Sequence, residues 1–361
     1  MKGGPLRIGF AGANAERGWA LVAHLPAIQA LPGLEIHAVL NRTAQSADAA
    51  AIAFGASKSY TDPAVFVSDP DIDIIAVTVR VPEHRALVRA ALAAGKHVYC
   101  EWPLGRNLAE AEEMAQAAKD SGLHVAIGTQ GALAPAMRHA ATLVREGAIG
   151  RALNLRVVSS TVGWSRRIMP FYAYLEDKTT GATLSNIAGG HTIAAVEAVI
   201  GPYVEIDARN TTTRQNVCIH GTNEPVTELC TDHVLAIGRH ASGCVSSLEI
   251  IGGTADTPFC FELRGTKGTL AVTSNHLGGY QCGQLTVTTN PPSAPQPEPA
   301  VPALTADPGN VAELWSSFAA DIKNNTRHTP DFDSGVRLHR VLDAIDAAAE
   351  MGQRGLLQGA K

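Results

Sequence analysis

The first stretch of this sequence whose residues could do chemistry is a glycine-bearing loop close to its beginning. The apolar run 6–11 predicts a buried strand, Gly12 ends it, and Gly18 stands near the start of the apolar-periodic segment 19–31. A strand, a glycine turn and a helix present backbone N–H groups to a pyrophosphate at the helix N-terminus. Asn14 stands where the usual G-x-G-x-x-G pattern has its second glycine, and two extra residues precede Gly18. By itself the loop fits either a nucleotide site or a structural turn.

The residues after the second apolar run bear on which dinucleotide such a loop would hold. The run ends at Leu40, and Asn41, Arg42 and Thr43 follow without a carboxylate. NAD-specific domains place an acid here for the ribose hydroxyls, whereas a cation admits the extra phosphate of NADP. Arg42 and Thr43 could bind that phosphate, Asn41 could bind an unmodified ribose, and Arg42 could also be a solvated loop residue. We expect NADP, with NAD as the alternative.

One histidine has surroundings that suit proton transfer. His191 follows Gly189 and Gly190 at the predicted start of a helix. A histidine's unperturbed pKa of about 6.5 suits proton exchange near neutrality, and a helix start would lower that pKa and keep the ring neutral. We expect a catalytic or substrate-contacting role, against the alternative of a capping or core histidine.

The irregular stretch 164–178 carries aromatic and basic side chains. Its aromatic members could stack on a ligand, and its basic members could bind a carboxylate or hydroxyls. The aromatic residues are Trp164, Tyr172 and Tyr174, and the basic residues are Arg166, Arg167 and Lys178. The alternative is a mobile surface loop.

These residues need two kinds of domain to position them. Over the first third of the chain, short apolar strands alternate with helical segments, which predicts a doubly wound parallel sheet of the Rossmann type. From about residue 150, several strand-like runs follow with few helical gaps, which predicts an α+β domain with a large, mostly antiparallel sheet. We place a dinucleotide-binding domain at 1–128 and a substrate-binding and oligomerisation domain at 129–361, whose C-terminal helices could pack back on the first domain.

Composition limits the partners. The chain has 361 residues, 45% of them hydrophobic and 17% charged, and a formal net charge of −5. Such a chain is not drawn to nucleic acid or to an anionic membrane, and no apolar run reaches the ~18 to 20 residues of a membrane helix. The six cysteines form no C-x-x-C pair, so we expect no metal and reduced, buried thiols in a cytoplasmic protein.

Several motifs occur together in one order along the chain. They are the 9–18 loop, Val-Pro-Glu-His at 81–84, the run 94–104 that includes Glu101, Trp102 and Pro103, the segment 146–150, the glycines before His191, and Gly-Thr-Lys-Gly at 265–268. With these motifs, nearly the whole chain resembles the glucose–fructose oxidoreductase/inositol dehydrogenase (Gfo/Idh/MocA) family. The loop and Trp102 look most like the branch that contains the galactose-pathway repressor and its bacterial relatives.

The resemblance implies a bound dinucleotide and identifies a departure in the chemistry. The family usually handles the substrate proton with a lysine in Glu-Lys-Pro, but here Trp102 stands in that position and has no basic nitrogen. Trp102 could line the site or simply fill space. The family's accompanying Asp position is Ile187, and Ala195 stands four residues after His191. His191 is therefore our first candidate for the proton-handling group.

The resemblance and position at strand ends extend the set of candidate site residues. Tyr172, Tyr174 or Lys178 could also replace the absent lysine. His84, which follows the fourth-strand run, could contact the ligand or simply start a helix, and Gln130 follows the last strand of the first domain. The expected cofactor contacts are Gly12, Asn14, Gly18, Trp19, Asn41, Arg42, Thr43, Val79, Val81, His84, Glu101, Trp102, Pro103 and Gln130. The expected substrate contacts are Trp102, Gln130, Trp164, Arg166 and Tyr172.

These observations favour an NAD(P)-dependent oxidoreductase acting on a hydroxyl or carbonyl of a sugar, glycoside or related polyhydroxy or hydroxy-acid compound. As the resemblance implies, it would be a homodimer or homotetramer. One alternative is a dinucleotide-binding regulator without turnover, and another is an enzyme that uses redox chemistry transiently to cleave a glycoside or to epimerise a sugar. Fold alone does not choose among them.

Overall fold

The computed structural model describes residues 4–254, 256–352 and 355–357. Its contacts divide the chain into two units. The first comprises the chain up to Gln130 together with Pro299–Val336, and the second comprises Gly131–Glu298 and the chain from Arg337 onward. The division at residue 128 stays a prediction. None of the described helices is long and apolar enough to cross a membrane.

The strands and helices are labelled here in chain order. The strands are β1 (Leu6–Ala11), β2 (Leu34–Leu40), β3 (Lys58–Tyr60), β4 (Ile74–Val77), β5 (His97–Glu101), β6 (Val125–Gly128), β7 (Ala152–Thr161), β8 (Arg167–Ile168), β9 (Tyr203–Thr211), β10 (Cys218–Ile219), β11 (His233–His240), β12 (Val245–Gly252), β13 (Phe259–Gly265), β14 (Thr269–Ser274), β15 (Thr286–Asn290) and β16 (Gly355–Leu356). The α-helices are α1 (Leu25–Ala30), α2 (Ala44–Phe54), α3 (Pro63–Ser68), α4 (His84–Ala93), α5 (Leu108–Ser121), α6 (Pro135–Arg145), α7 (Gly190–Ile200), α8 (Ala306–Asn324) and α9 (Phe332–Met351).

The first unit is built on a six-stranded parallel sheet in the order β3-β2-β1-β4-β5-β6. Its central strands are buried on both faces, as Ile8, Phe10, Ile74 and Val77 at 0% exposure show, which explains why they read as continuous apolar runs. Helix α8 belongs to this unit and packs against α1. The strand order reverses direction between β1 and β4, the point at which doubly wound sheets bind ligands.

The second unit is built on an eight-stranded mixed sheet in the order β15-β14-β13-β7-β12-β11-β9-β16, where β16 has only two residues. Strands β12 and β7 pair in parallel, and the other neighbours in this sheet pair antiparallel. Both sheets have the expected character, so the predicted fold class is confirmed.

Candidate active site

Gly12 closes the turn that ends β1, and its position requires glycine. Its φ is 98°, and a Cβ here would lie 2.8 Å from Val79 Cγ1 and 2.9 Å from the Val79 nitrogen. The Gly12 N–H donates to the Leu40 carbonyl at 3.0 Å. The turn therefore joins the carboxyl ends of β1, β2 and β4, and brings two of the predicted cofactor contacts, Gly12 and Val79, together.

Asn14 organises the expanded loop that follows. Its Oδ1 accepts the backbone N–H groups of Glu16 at 2.9 Å and Arg17 at 3.1 Å. Gly18, at φ 97°, ends the loop, and its carbonyl accepts the first helical N–H groups. The π-helical turn Ala20–His24 then leads into α1. An asparagine side chain thus holds the loop where the usual pattern has a second glycine.

Two of the three residues that follow β2 make side-chain hydrogen bonds to other described residues, and the third makes none. Asn41 Nδ2 donates to the carbonyls of Ala13 at 2.7 Å and Ser46 at 2.9 Å, and Thr43 caps α2 by accepting the Ser46 N–H. Arg42 is exposed and makes no hydrogen bond or ion pair in the described part of the chain. Its guanidinium is therefore available to a ligand, as the cofactor prediction requires.

His84 connects two of the loops that carry predicted cofactor contacts. It is 1% exposed, Nδ1 lies 3.0 Å from the Pro103 carbonyl, and Nε2 lies 3.0 Å from the Val79 carbonyl. Burial lowers the pKa of His84, although the carbonyls of Val79 and Pro103 oppose that shift. His84 is also the first residue of α4. Through these contacts the His84 side chain positions Val79 and Pro103. Val81, another predicted contact, is buried in the adjoining 3-10 turn.

Two of the predicted cofactor contacts, Trp19 and Gln130, carry buried polar atoms without a hydrogen-bond partner among the described residues. Gln130 is 1% exposed and its Oε1 accepts no hydrogen bond from any described residue. The Trp19 Nε1–H likewise donates to none of them. A buried polar group left unsatisfied costs roughly 1–3 kcal/mol, so we expect a water molecule or a polar ligand beside each of these atoms. Trp102, another predicted contact, is only 5% exposed.

His191 is buried in α7 of the second unit, and the predicted helix start at this residue is wrong. The helical backbone already begins in the π-helical turn Ser185–Gly189, which runs directly into α7. A Cβ at Gly189 would lie 3.2 Å from Ile250 Cδ1, so this glycine serves close packing of helix on sheet. The expected lowering of the His191 pKa by a helix N-terminus therefore loses its basis.

Packing holds the His191 backbone firmly. The residue is 5% exposed, and its carbonyl accepts the Tyr280 hydroxyl at 2.5 Å. The Tyr280 ring stacks on Phe259 with a centroid separation of 4.7 Å, and Thr192 donates to Ser159 in the sheet at 2.9 Å. A histidine on such a rigid element is suited to a precise contact.

The stretch 164–178 is anchored near its C-terminal end by a buried cluster of charged side chains. Arg214 makes a two-pronged pair with Glu176 at 2.6 and 2.8 Å, and its Nε lies 2.8 Å from Asp232 Oδ2. All three side chains are at most 6% exposed. Although burial raises the pKa of Asp232, hydrogen bonds from Thr213 and Arg214 outweigh it and lower that pKa. The pair fixes the end of this stretch to the sheet.

The predicted substrate contacts within this stretch differ in their exposure. Trp164 is 9% exposed, has φ 55°, and donates from Nε1 to the Leu175 carbonyl at 3.4 Å, so it packs in the unit. Arg166, Tyr172 and Lys178 lie at the surface, and Tyr174 is half-buried in the 3-10 turn Pro170–Glu176.

Sequence reasoning missed two sets of residues. The triad of Glu176, Arg214 and Asp232 is spread over 57 positions and has no periodic signal. His24 lies on the apolar face of the first helical segment, where it reads as an ordinary core position, yet its Nε2 lies 2.8 Å from Glu101 Oε1 at the end of β5.

Comparison with known families agrees with both units. Residues 6–129 match the model for the Gfo/Idh/MocA oxidoreductase family with its NAD-binding Rossmann fold. Residues 135–274 match the model of the Gal80p C-terminal domain. The first unit is therefore similar to Gfo/Idh/MocA oxidoreductases and the second to Gal80p, which confirms the predicted resemblance.

The proteins that this chain is similar to include both dehydrogenases and regulators. The chain is 29% identical over 333 residues to dehydrogenase aclE of Aspergillus oryzae, covering 88% of each protein. It is 29% identical over 291 residues to the galactose/lactose metabolism regulatory protein GAL80 of Kluyveromyces lactis, covering 74% of this chain and 64% of that protein. Among solved structures, levoglucosan dehydrogenase in complex with NADH and levoglucosan has the same fold, with a TM-score of 0.84 at 23% identity over 98% of this chain and all of that one.

Proposed function

We propose that this protein is an NAD(P)-dependent oxidoreductase that oxidises a hydroxyl or reduces a carbonyl of a sugar, a glycoside or a related polyhydroxy or hydroxy-acid compound. The observation that carries the proposal is the buried, unpartnered Oε1 of Gln130 at the carboxyl edge of a Rossmann sheet. A carboxamide, such as that of a nicotinamide, offers N–H donors for such an acceptor.

The residues at this edge fit a dinucleotide. The loop from Gly12 to Gly18 would hold the pyrophosphate, with the Trp19 Nε1–H as a further donor. Arg42 would bind the 2′-phosphate of NADP, since no carboxylate follows β2 to repel it, and Asn41 could bind the unmodified ribose of NAD. Trp102, Val79 and Pro103 would wall the nicotinamide half of the site. When bound, the dinucleotide supplies or accepts a hydride.

The protein must also move a proton on the substrate hydroxyl. Trp102 cannot do so, because the indole N–H has no basic lone pair. We assign this role to His191, whose neutral ring could accept the proton in oxidation and whose protonated ring could return it in reduction. Tyr174 and Lys178 are the second choices. Trp164, Arg166 and Tyr172 stay proposed substrate contacts.

The proposal is tested with purified protein and a panel of sugars, anhydrosugars and sugar acids, followed by nicotinamide absorbance with NAD and with NADP. We expect turnover with at least one compound and a loss of kcat of about a hundredfold or more in His191→Ala, since acid–base catalysis contributes on that scale. The matched control is His328→Ala, which removes an exposed imidazole from the first unit. Equal kcat in wild type and His191→Ala contradicts the catalytic assignment.

A regulator without turnover is the second candidate function. It is favoured by Trp102 in the lysine position, by Ile187 and Ala195 around His191, and by the likeness to GAL80. A protein that binds the dinucleotide tightly and reduces it with no compound in the panel would support this candidate. Product formed without net change in nicotinamide absorbance, with deuterium exchange at one sugar carbon, would instead support transient redox chemistry.

A further inference from the structure

A fully buried histidine in the first unit has both ring nitrogens engaged. His24 is 0% exposed, its Nδ1 lies 2.9 Å from Trp315 Nε1, and its Nε2 lies 2.8 Å from Glu101 Oε1. An indole N–H can only donate, so Nδ1 must be the acceptor. The neutral ring therefore carries its proton on Nε2 and donates it to the Glu101 carboxylate.

Aromatic packing keeps the imidazole in this orientation. The rings of Phe10 and Tyr99 meet it edge to face, at centroid separations of 5.6 and 5.2 Å. Trp315, itself 0% exposed, is stacked on Tyr99 at 4.5 Å with an interplanar angle of 13°. A flipped imidazole would present C–H groups to both partners in place of its two nitrogens.

Among the described residues that contact the His24 ring, Glu101 is the acidic one. In the described part of the chain, the titratable groups around the ring are Glu101 and Tyr99 on β5, whereas β1 contributes Phe10 and α8 contributes Trp315, both uncharged. Burial raises the pKa of Tyr99 well above its ordinary value, so the phenol stays neutral.

Glu101 faces the edge of the sheet where a ligand is expected. It is the last residue of β5, and its side chain keeps 15% of its surface exposed. A Cβ at Gly128, the last residue of the neighbouring strand β6, would lie 3.0 Å from Glu101 Oε1 and Cδ. Glycine at this position therefore leaves the carboxylate its room, and parallel sheets bind ligands at their carboxyl edge.

We propose that Trp315 and His24 are positioning residues that lock one imidazole tautomer, and that this lock holds Glu101 as a carboxylate acceptor for paired hydroxyl groups of the bound dinucleotide. The proposal rests on the proposed function, because it names a ribose hydroxyl as the donor to Glu101. Loss of either positioning residue would therefore free the Glu101 side chain to turn and would weaken dinucleotide binding.

Trp315→Phe tests the lock, because it removes the indole N–H and keeps a stacked ring. Binding is measured by calorimetry with NAD, which lacks the titrating 2′-phosphate of NADP. We expect the variant to bind NAD about fivefold or more weakly than wild type, because the imidazole loses the donor that fixes its tautomer and no longer holds the carboxylate in place.

A second pair of variants separates the lock from simple packing. The amide of His24→Gln can accept from Trp315 and donate to Glu101, so we expect NAD to bind within about twofold of the wild-type Kd. His24→Leu fills the space but can donate nothing, so we expect a loss of affinity of about tenfold. This pair decides the matter even where Trp315→Phe does not fold.

Two results overturn the lock alone. One is a Trp315→Phe variant that binds NAD like wild type, and the other is a His24→Leu variant that binds NAD as tightly as His24→Gln does. A wild-type protein that binds neither NAD nor NADP overturns the proposed function, and the lock with it. The two failures are therefore distinguishable.

Discussion

Because Trp102 cannot exchange a proton, the proposed proton transfer in this protein requires a residue elsewhere in the chain. Its indole carries no basic nitrogen, and it is 5% exposed in the loop after β5. His191 has the right chemistry, but its position is inside a helix that begins several residues earlier, at Ser185. The proposed catalysis therefore depends on a histidine held by packing, through Tyr280 and Thr192, and owes nothing to a helix terminus.

Arg42 gives a residue-scale prediction about the cofactor. It is exposed and unpaired among the described residues, whereas its neighbours Asn41 and Thr43 are used by the fold. In Arg42→Ala we expect the Kd for NADP to rise about tenfold or more and the Kd for NAD to change less than about twofold, because a charge-assisted phosphate contact is lost.

Arg42→Lys is the control for this prediction. It keeps the cation and loses the planar fork, so we expect an intermediate Kd for NADP. Isothermal titration with both dinucleotides measures these values. An equal loss of affinity for NAD and NADP in Arg42→Ala would contradict the proposed contact between Arg42 and the 2′-phosphate.

At the scale of elements, the large sheet of the second unit presents an open face. Leu235 and Ile237 on β11 are 46% and 61% exposed, and Val245 on β12 is 50% exposed. Charges of both signs lie on the same sheet, paired as Arg156 with Glu262 and Arg239 with Glu205. An apolar stripe edged by opposite charges is self-complementary, so we place the predicted contact with a second copy here.

Ile237→Asp tests this contact. A charge on the stripe should raise the dissociation constant of the homo-oligomer about tenfold or more, because a two-fold interface buries the position twice. Ile52→Asp is the matched control, since Ile52 is 85% exposed on α2 in the first unit. Light scattering over a concentration series gives the mass. A monomeric wild-type protein, or equal masses for both variants, would contradict the placement.

At the scale of the whole molecule, the fold could be predicted from the sequence more completely than the candidate site could. Buried parallel strands such as β1 and β4 are apolar throughout, so their pattern predicts the first sheet. Gly12 could be placed because a positive φ requires glycine. The role of Gly189 could not be predicted, because this glycine allows α7 to approach Ile250, which lies 61 positions away in the chain. The contacts of His24 could not be predicted for the same reason, because its partners Glu101 and Trp315 are distant in the chain.

Label transfer tests the central claim most directly. A sugar or anhydrosugar that the protein turns over is deuterated at the carbon to be oxidised, and the dinucleotide is analysed by mass spectrometry. An oxidoreductase places the deuterium in the reduced dinucleotide, and His191→Ala slows this transfer. Reduced dinucleotide without the label, or no reduced dinucleotide with protein and dinucleotide at equal concentrations, would contradict the account.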